Sequence, residues 1–346
     1  MLAKLEHYGI QNSPNLWFKS YLSKRKQYVS YDDQNSSLLS FSCGVPQGSI
    51  LGPFLFILYI NDLVNSSKVF KFVIFADDSN LYISHANIKT LIELANRELL
   101  NIRSWITLNK LTLNVKKSHY IIFHRKKLPS VLNPVLLGSE PLQRVQSTKF
   151  LGVTIEDTLK WDKHIKNIAN KVNKLSGILY QTRDMLTSSA LKTIYHSLIY
   201  PNLTYCHVVW GTAGPSKVKQ VTNAQKRAIR TISYLKKFDP TNDAFSRLGI
   251  LKFSEITTYC SAMYVYKSIN GFVQNNYFTS RTNNRYQLRH PNNLTIPRVR
   301  SSQSQKFISF HGSKIWNNLP PDLKGKPISS FKSSLKAHLL AQYCNT

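Results

Sequence analysis

Acid is scarce in this sequence. Its 346 residues hold 17 Asp+Glu against 46 Lys+Arg, a formal charge of +29. A folded chain with that excess repels itself unless a polyanion answers it. Nucleic acid is the first partner this implies, and an anionic membrane surface the second. Long apolar runs are also missing. The longest, Ile50 to Ile60, is too short for a bilayer span and is broken by Gly52-Pro53. The opening Met1-Leu2-Ala3-Lys4-Leu5-Glu6 lacks the apolar core of a signal peptide, and neither end carries a lipidation motif. The membrane reading therefore falls behind nucleic acid, and the expected location is intracellular, nuclear or cytoplasmic. Cysteine is sparse: Cys43, Cys206, Cys260 and Cys344 show no paired metal-binding spacing and read as reduced structural thiols. There is no internal repeat and no low-complexity tract.

What is present is globular. Hydrophobic residues make up 42% and aromatics 12%, enough for a core, and the length suits two or three domains. The stretch that organises the rest is Phe72-Val73-Ile74-Phe75-Ala76-Asp77-Asp78-Ser79-Asn80-Leu81-Tyr82-Ile83. Two β-branched and aromatic runs flank a polar cluster, which predicts a β-hairpin with Asp77 and Asp78 at its tip. Adjacent carboxylates repel, and a hard divalent cation relieves them because it prefers carboxylate oxygen. Taken alone, such a pair is more often plain turn chemistry. A second pair, Asp32-Asp33, lies among polar residues between predicted strands 27–31 and 38–42 and reads as an exposed turn.

Ahead of these, residues 2–8 read as a helix closed by Gly9, and residues 15–22 as a short amphipathic helix. Lys24-Arg25-Lys26 reads as a solvated helix end or a phosphate contact. Gly44, Pro46, Gly48 and Gly52 punctuate a tight loop. It opens the run Phe54 to Ile60, apolar on all sides and so expected to be a buried helix. It is not a Walker loop, because the Gly-Lys-Ser/Thr ending is absent. Residues 88–108 carry a helical stripe of Leu91, Leu94, Ala95, Ile102, Trp105 and Ile106. A strand is expected over 119–124, and shorter ones over 135–137 and 145–155.

After Trp161 the period becomes helical. Ile165, Ile168, Val172, Leu175 and Leu179 recur every three to four residues. A second helix through Leu191 and Ile199 is expected to stop at Pro201. A third is expected to begin at Ser216, with Lys217, Lys219, Lys226, Arg227 and Arg230 on its polar face. No acid occurs between Glu255 and Asp322. There Lys267, Arg281, Arg285, Arg289, Arg298, Arg300, Lys306 and Lys314 interleave with Tyr277, Phe278, Tyr286, Phe307 and Phe310, a mixture suited to single-stranded nucleic acid.

Several short motifs stand in one order: Gly44-Val45-Pro46-Gln47-Gly48-Ser49 with Gly52-Pro53, then Tyr59-Ile60-Asn61-Asp62-Leu63, then Phe75-Ala76-Asp77-Asp78. Asn114 with Lys117-Ser118 follows, then Lys149-Phe150-Leu151-Gly152. In that order and spacing the sequence resembles the reverse transcriptase of non-LTR, LINE-type, jockey-like retrotransposons. Tyr205-Cys206 with Trp210-Gly211, Gln225-Lys226-Arg227-Ala228 and Trp316-Asn317-Asn318-Leu319-Pro320 extend the resemblance through the tail.

The resemblance implies an α+β fold: part of a right-hand polymerase palm, an antiparallel sheet with helices, over residues 1–157. A helical thumb over 158–236 and a mixed, basic C-terminal region over 237–346 would follow. It implies RNA-directed DNA synthesis, in which a primer 3′-hydroxyl attacks a deoxynucleotide with two Mg²⁺ ions at the site. Asp77 and Asp78 match the metal-holding pair. Pro46, Gln47, Gly48 and Ser49 match the loop that positions template and nucleotide. Lys117 matches a lysine near the nucleotide phosphates, and Phe150, Leu151 and Gly152 match the primer grip. The implied partners are an RNA template, a DNA primer and deoxynucleotides, with no membrane. The family's palm has an earlier strand with a third metal-binding aspartate, upstream of the segment that here begins at Lys4-Leu5-Glu6. The expectation is therefore an N-terminally truncated enzyme with little or no activity of its own. The competing expectation is a non-catalytic, basic nucleic-acid-binding remnant.

Overall fold

The computed structural model describes residues 1–40, 44–45, 48–124, 128–275, 277–280 and 293–345. It mixes helices with small two-stranded sheets, an α+β architecture. The chain divides into two compact units: residues 1–122 with 126–145, and residues 146–346 with a short piece at 123–125.

The first unit opens with α1 (Leu2–His7) and α2 (Asn12–Leu22). Gly9 follows α1 as expected, but α2 buries none of its side chains, so the apolar stripe expected there is not packed. The chain then zigzags through β1 (Lys26–Gln27), β2 (Ser30–Tyr31), β3 (Gln34–Asn35) and β4 (Leu39–Ser40). Here β2 pairs with β3 and β1 with β4. Asp32 and Asp33 are the two turn residues, both with positive φ, so this second acid pair is the exposed turn expected of it.

Helix α3 (Leu51–Ile60) follows. Only Gly52, Leu55 and Ile60 are buried along it, while Phe54 and Ile57 are 52% and 54% exposed. The expectation of a wholly buried helix is therefore corrected, because the described residues cover one of its faces only. A hairpin of β5 (Lys71–Phe75) and β6 (Asp78–Tyr82) lies next in sequence. Then α4 runs Ile88–Leu108, with Asn87 Oδ1 accepting the Lys89 and Thr90 N–H groups as its N-cap. Its buried line is Ile92, Ala95, Leu99 and Ile102, one position along from Leu91 in the expected stripe. These residues pack with Ile60, Leu63, Phe70, Val135 and Leu137, and Phe72, Ile74 and Leu81 lean on the same core.

The strand expected over 119–124 shortens to β7 (His119–Tyr120). It pairs in parallel with β10 (Gln143–Arg144), after the small hairpin of β8 (Leu136–Leu137) and β9 (Glu140–Pro141). The Asn96 side chain of α4 bonds both Pro134 O and the Leu136 N–H, which ties the β8 hairpin to the helix.

The second unit starts with β11 (Ser147–Phe150) and β12 (Val153–Glu156), an antiparallel hairpin, and continues into α5 (Asp162–Thr182). The inward line of α5 is Ile165, Ala169, Val172 and Leu179. Next come α6 (Ser188–Ile194) and α7 (Tyr200–Thr204), joined through a π-helical segment, Tyr195–Ile199. Pro201 does not end this helix, contrary to expectation. The proline cannot donate a hydrogen bond and its ring crowds the preceding turn, and the widened segment just before it absorbs both effects. There the Tyr200 N–H reaches back five residues to Tyr195 O.

After α8 (His207–Trp210), α9 (Pro215–Ile232) begins at Pro215 with Gly214 as its cap, rather than at Ser216. Its inward residues Val221, Ala224, Ala228, Ile229 and Ile232 pack against α5. The remaining helices are α10 (Asn242–Leu248), α11 (Phe253–Ile269), α12 (Ile308–Asn318), α13 (Pro321–Lys324) and α14 (Ile328–Ala341). They share one core that runs from Ile165 to Tyr343. Burying each Leu, Ile or Phe there contributes about 2 kcal/mol. Arg281, Arg285, Arg289 and Tyr286 lie outside the described residues. Among the described residues, no helix is long and apolar enough to cross a membrane.

Candidate functional site

The β5–β6 hairpin closes on the pair Phe75↔Asp78, so Ala76 and Asp77 form a two-residue turn. Ala76 takes φ +51, a left-handed conformation that costs a non-glycine residue roughly 1 kcal/mol. The turn presents both carboxylates to solvent. Facing positions in the register share a side of the ribbon, so Asp78 lies on the side of Phe75, Val73 and Tyr82, all exposed. The other side carries Phe72, Ile74 and Leu81 into the core. Alternation thus holds the ribbon by one face and leaves the acidic end of the other open.

Among the described residues, neither Asp77 nor Asp78 makes a side-chain hydrogen bond or ion pair. Two adjacent carboxylates without a cation from the chain are the right chemistry for a hard divalent ion. The donor set is short, however. Among the described residues no group of three His, Cys, Asp or Glu side chains comes together. By themselves these residues do not complete a two-ion site.

Pro46 and Gln47 lie outside the described residues. Gly48 has φ +79 with open space around its missing Cβ, so the backbone conformation alone calls for glycine there. Ser49 Oγ accepts the Gly52 N–H at 3.0 Å, satisfying a free donor at the start of α3. Lys117 ends a single helical turn, Val115–Lys117, in which Asn114 Oδ1 accepts its N–H at 3.2 Å. Its side chain is exposed.

Phe150, Leu151 and Gly152 belong to the second unit, at the β11–β12 turn. Leu151 and Gly152 both have positive φ, the geometry of a two-residue hairpin loop. The Tyr205 hydroxyl donates to Leu151 O at 2.6 Å, and its ring lies 3.3 Å from where a Cβ on Gly152 would stand. The hairpin is also fastened to α5. Glu156 Oε2 accepts the Lys163 N–H at 3.1 Å, and His164 Nδ1 accepts the Thr154 N–H at 3.3 Å.

The other shared motifs prove to be anchors. Trp210 is fully buried, donates from Nε1 to Tyr205 O at 2.9 Å, and packs against His164, His207 and Phe253. Burial pushes the His207 imidazole down to about 4. As a neutral ring it donates from Nδ1 to Leu203 O at 2.6 Å and accepts at Nε2 from the Thr257 hydroxyl at 2.8 Å. Gln225 is fully buried, and its amide donates to the Tyr195 hydroxyl and to Leu251 O, both at 2.9 Å. The Asn317 side chain pairs with both backbone groups of Leu294, at 2.7 and 2.9 Å.

Reading the sequence alone missed Lys4. Its ammonium lies 2.6 Å from Asp62 Oδ1 and 2.8 Å from Tyr59 O. The available signal was an aspartate, inside a shared motif, in a chain with few acids. On the basic face of α9, Lys217 binds Asp162 at 2.6 Å and Arg230 donates to Asp239 O at 3.1 Å. Those two cations are therefore engaged within the chain.

Residues 2–155 match the family described as reverse transcriptase (RNA-dependent DNA polymerase). The chain is similar to the RNA-directed DNA polymerase from mobile element jockey of Drosophila melanogaster, at 26% identity over 248 residues. That alignment takes in 68% of this chain and 27% of the relative. It is 29% identical over 226 residues to the probable RNA-directed DNA polymerase from transposon X-element of the same fly, covering 62% of this chain and 24% of that protein. The jockey polymerase of Drosophila funebris aligns at 24% identity over 258 residues, 70% of this chain and 28% of its own length. The chain thus spans about a quarter of the length of the curated relatives it matches.

Proposed function

We propose that this chain, whose residues 2–155 match the reverse transcriptase family, belongs to that family and that its first unit is part of the palm of a LINE-type, RNA-directed DNA polymerase. The second unit then supplies the primer-gripping hairpin, a helical thumb built on α5, α6 and α9, and a basic C-terminal region. The observation that carries this reading is the open Ala76-Asp77-Asp78 turn, two unneutralised carboxylates at the rigid end of a hairpin.

Each residue has a part in that reading. Asp77 and Asp78 hold divalent metal, taken to be Mg²⁺, which when bound stabilises charge on the transferring phosphoryl group. Pro46, Gln47, Gly48 and Ser49 position template and incoming deoxynucleotide. Lys117 lies at the nucleotide phosphates, and Phe150, Leu151 and Gly152 hold the primer end. Two carboxylates are fewer donors than a two-ion site requires. The 346-residue polypeptide alone therefore binds primer and template without extending them.

The charge of +29 favours a second reading, a module that binds nucleic acid and performs no chemistry in any assembly. Primer extension on an RNA template with Mg²⁺ and deoxynucleotides separates the two. The expected result is salt-dependent retention of the hybrid without extension, and extension once a protein segment carrying an additional carboxylate strand is supplied. Extension by the chain alone that disappears in Asp77→Ala would overturn the inactivity and uphold the polymerase. If no added segment restores synthesis, the binding module stands.

A further inference from the structure

The reading above gives no part to the motif Tyr205-Cys206 with Trp210-Gly211, yet its first residue touches the β11–β12 loop. The pair Phe150↔Val153 closes that hairpin, so Leu151 and Gly152 form its loop. A lone two-stranded ribbon is marginal in water, and its outward polar groups need partners from elsewhere. Helix α5 supplies them along the strands. His164 Nδ1 accepts the Thr154 N–H at 3.3 Å, the Asn167 amide donates to the Thr154 hydroxyl at 3.4 Å, and Lys163 Nζ donates to Ser147 Oγ at 2.8 Å. The loop is held from a different direction. There the Tyr205 hydroxyl donates to Leu151 O at 2.6 Å, across 54 residues of sequence.

Tyr205 is 52% exposed, so burial does not fix its orientation. Its main chain does. The Tyr205 N–H donates to Pro201 O at 2.9 Å, and its carbonyl accepts from Trp210 Nε1 at 2.9 Å. Cys206 takes φ +49, which bends the chain between α7 and α8 directly after Tyr205. Trp210 is fully buried, with its ring centroid 5.2 Å from that of His164. The hold on the strand and the hold on the loop therefore meet at one indole. Gly152 completes the fit, since a Cβ there would stand 3.3 Å from Tyr205 Cε1.

We propose that Tyr205 is a positioning residue for the primer terminus. Its hydroxyl fixes Leu151 O and so the angle at which the Phe150-Leu151-Gly152 loop meets a primer, while Trp210 fixes Tyr205. The inference rests on the primer reading of that loop and extends it to residues beyond the matched stretch 2–155. The hydroxyl carries no charge, so its loss alters placement of the primer end rather than attraction for phosphate.

The test compares Tyr205→Phe with Tyr234→Phe. Tyr234 is 53% exposed, and its hydroxyl also donates to a backbone carbonyl, that of Arg183. Each variant loses one such bond and no charge. Binding is measured for an RNA–DNA hybrid with a recessed primer 3′ end and for a continuous hybrid of equal length. Hydrogen exchange of the Gly152, Val153 and Thr154 amides is followed alongside. Tyr205→Phe should lower the native preference for the recessed end about fivefold, the scale of one hydrogen bond, and speed those amides by a similar factor. Its binding of the continuous hybrid should not change, and Tyr234→Phe should match the native chain in all three readouts. A native chain with no preference for the recessed end would sink the primer reading and this inference with it. A native preference that survives in Tyr205→Phe would overturn the inference alone, as would an equal loss in Tyr234→Phe. Lost preference with native exchange rates would make Tyr205 a direct primer contact and overturn its role as a brace.

Discussion

Lys4 Nζ lies 2.6 Å from Asp62 Oδ1, and the same ammonium stands 4.4 Å over the ring of Tyr59 and 4.8 Å from that of Trp105. One lysine thus ties α1 to the end of α3 and to α4. Both charged groups are only partly exposed, so the pair is screened less than an ordinary surface bridge. Lys4→Met keeps the stem and removes the charge, leaving Asp62 and Tyr59 O without their donor. The expected cost is about 1–2 kcal/mol, read as roughly tenfold faster hydrogen exchange of the α1 amides. Unchanged exchange would mean that the apolar contacts of Leu5 alone hold α1 in place.

Gly211 and Gly177 make opposite predictions from the same substitution. A Cβ on Gly211 would stand 2.2 Å from His207 Nε2 and 2.7 Å from His207 O, and the second of these is backbone. Gly211→Ala should therefore destabilise the second unit by about 2–3 kcal/mol. Gly177 lies inside α5 with nothing near its missing Cβ. Gly177→Ala should stabilise by about 0.5–1 kcal/mol, because alanine loses less backbone freedom in a helix. Urea midpoints of the two variants check both signs at once.

The buried imidazole of His207 makes the second unit sensitive to acid. The unfolded chain takes up this proton near the ordinary value of 6.5, whereas the folded chain resists until about 4. Its contribution is complete above 6.5, is lost as pH falls toward 4, and changes no further below that. The loss amounts to about 3 kcal/mol across the window. Burial lowers His164 and His311 as well, which acts in the same direction. A urea midpoint measured from neutral pH down to about 4 should fall steadily. A flat profile would show that folding leaves the proton affinity of His207 unchanged and that its ring is not held neutral by burial.

Local pattern carried much of this structure. The span expected for α4, 88–108, is the one observed, because a strong 3.6-residue period runs its length; the structure adds an asparagine cap at one end and Lys110 at positive φ beyond the other. The Asp77–Asp78 hairpin could be read because short β-branched runs flank residues that tolerate a tight turn, whereas residues 145–155 read as strand throughout and the structure turns within them at Leu151–Gly152. Pro201 misled because its local rule is strong, yet a π-helical segment upstream can satisfy it without ending the helix. The roles of Gln225, Asn317 and Lys4 depend on partners 26, 23 and 58 residues away, and no local period encodes such distances.

The apolar run of α3 shows the same limit and yields the last prediction. A helix that is apolar all round implies partners on every side. Here Leu55 and Ile60 face a core, while Ile50 is 95% exposed and Phe54 and Ile57 about half exposed. Together with Val73 and Phe75 of the hairpin, these exposed side chains put apolar surface on the unit that carries the two carboxylates. Exposed apolar patches drive association at a cost the free chain does not recover. Phe54→Lys/Ile57→Lys should therefore lower light scattering at fixed protein concentration while leaving stability within about 0.5 kcal/mol. Loss of about 2–5 kcal/mol, the scale of a core truncation, would show that this face is packed in solution.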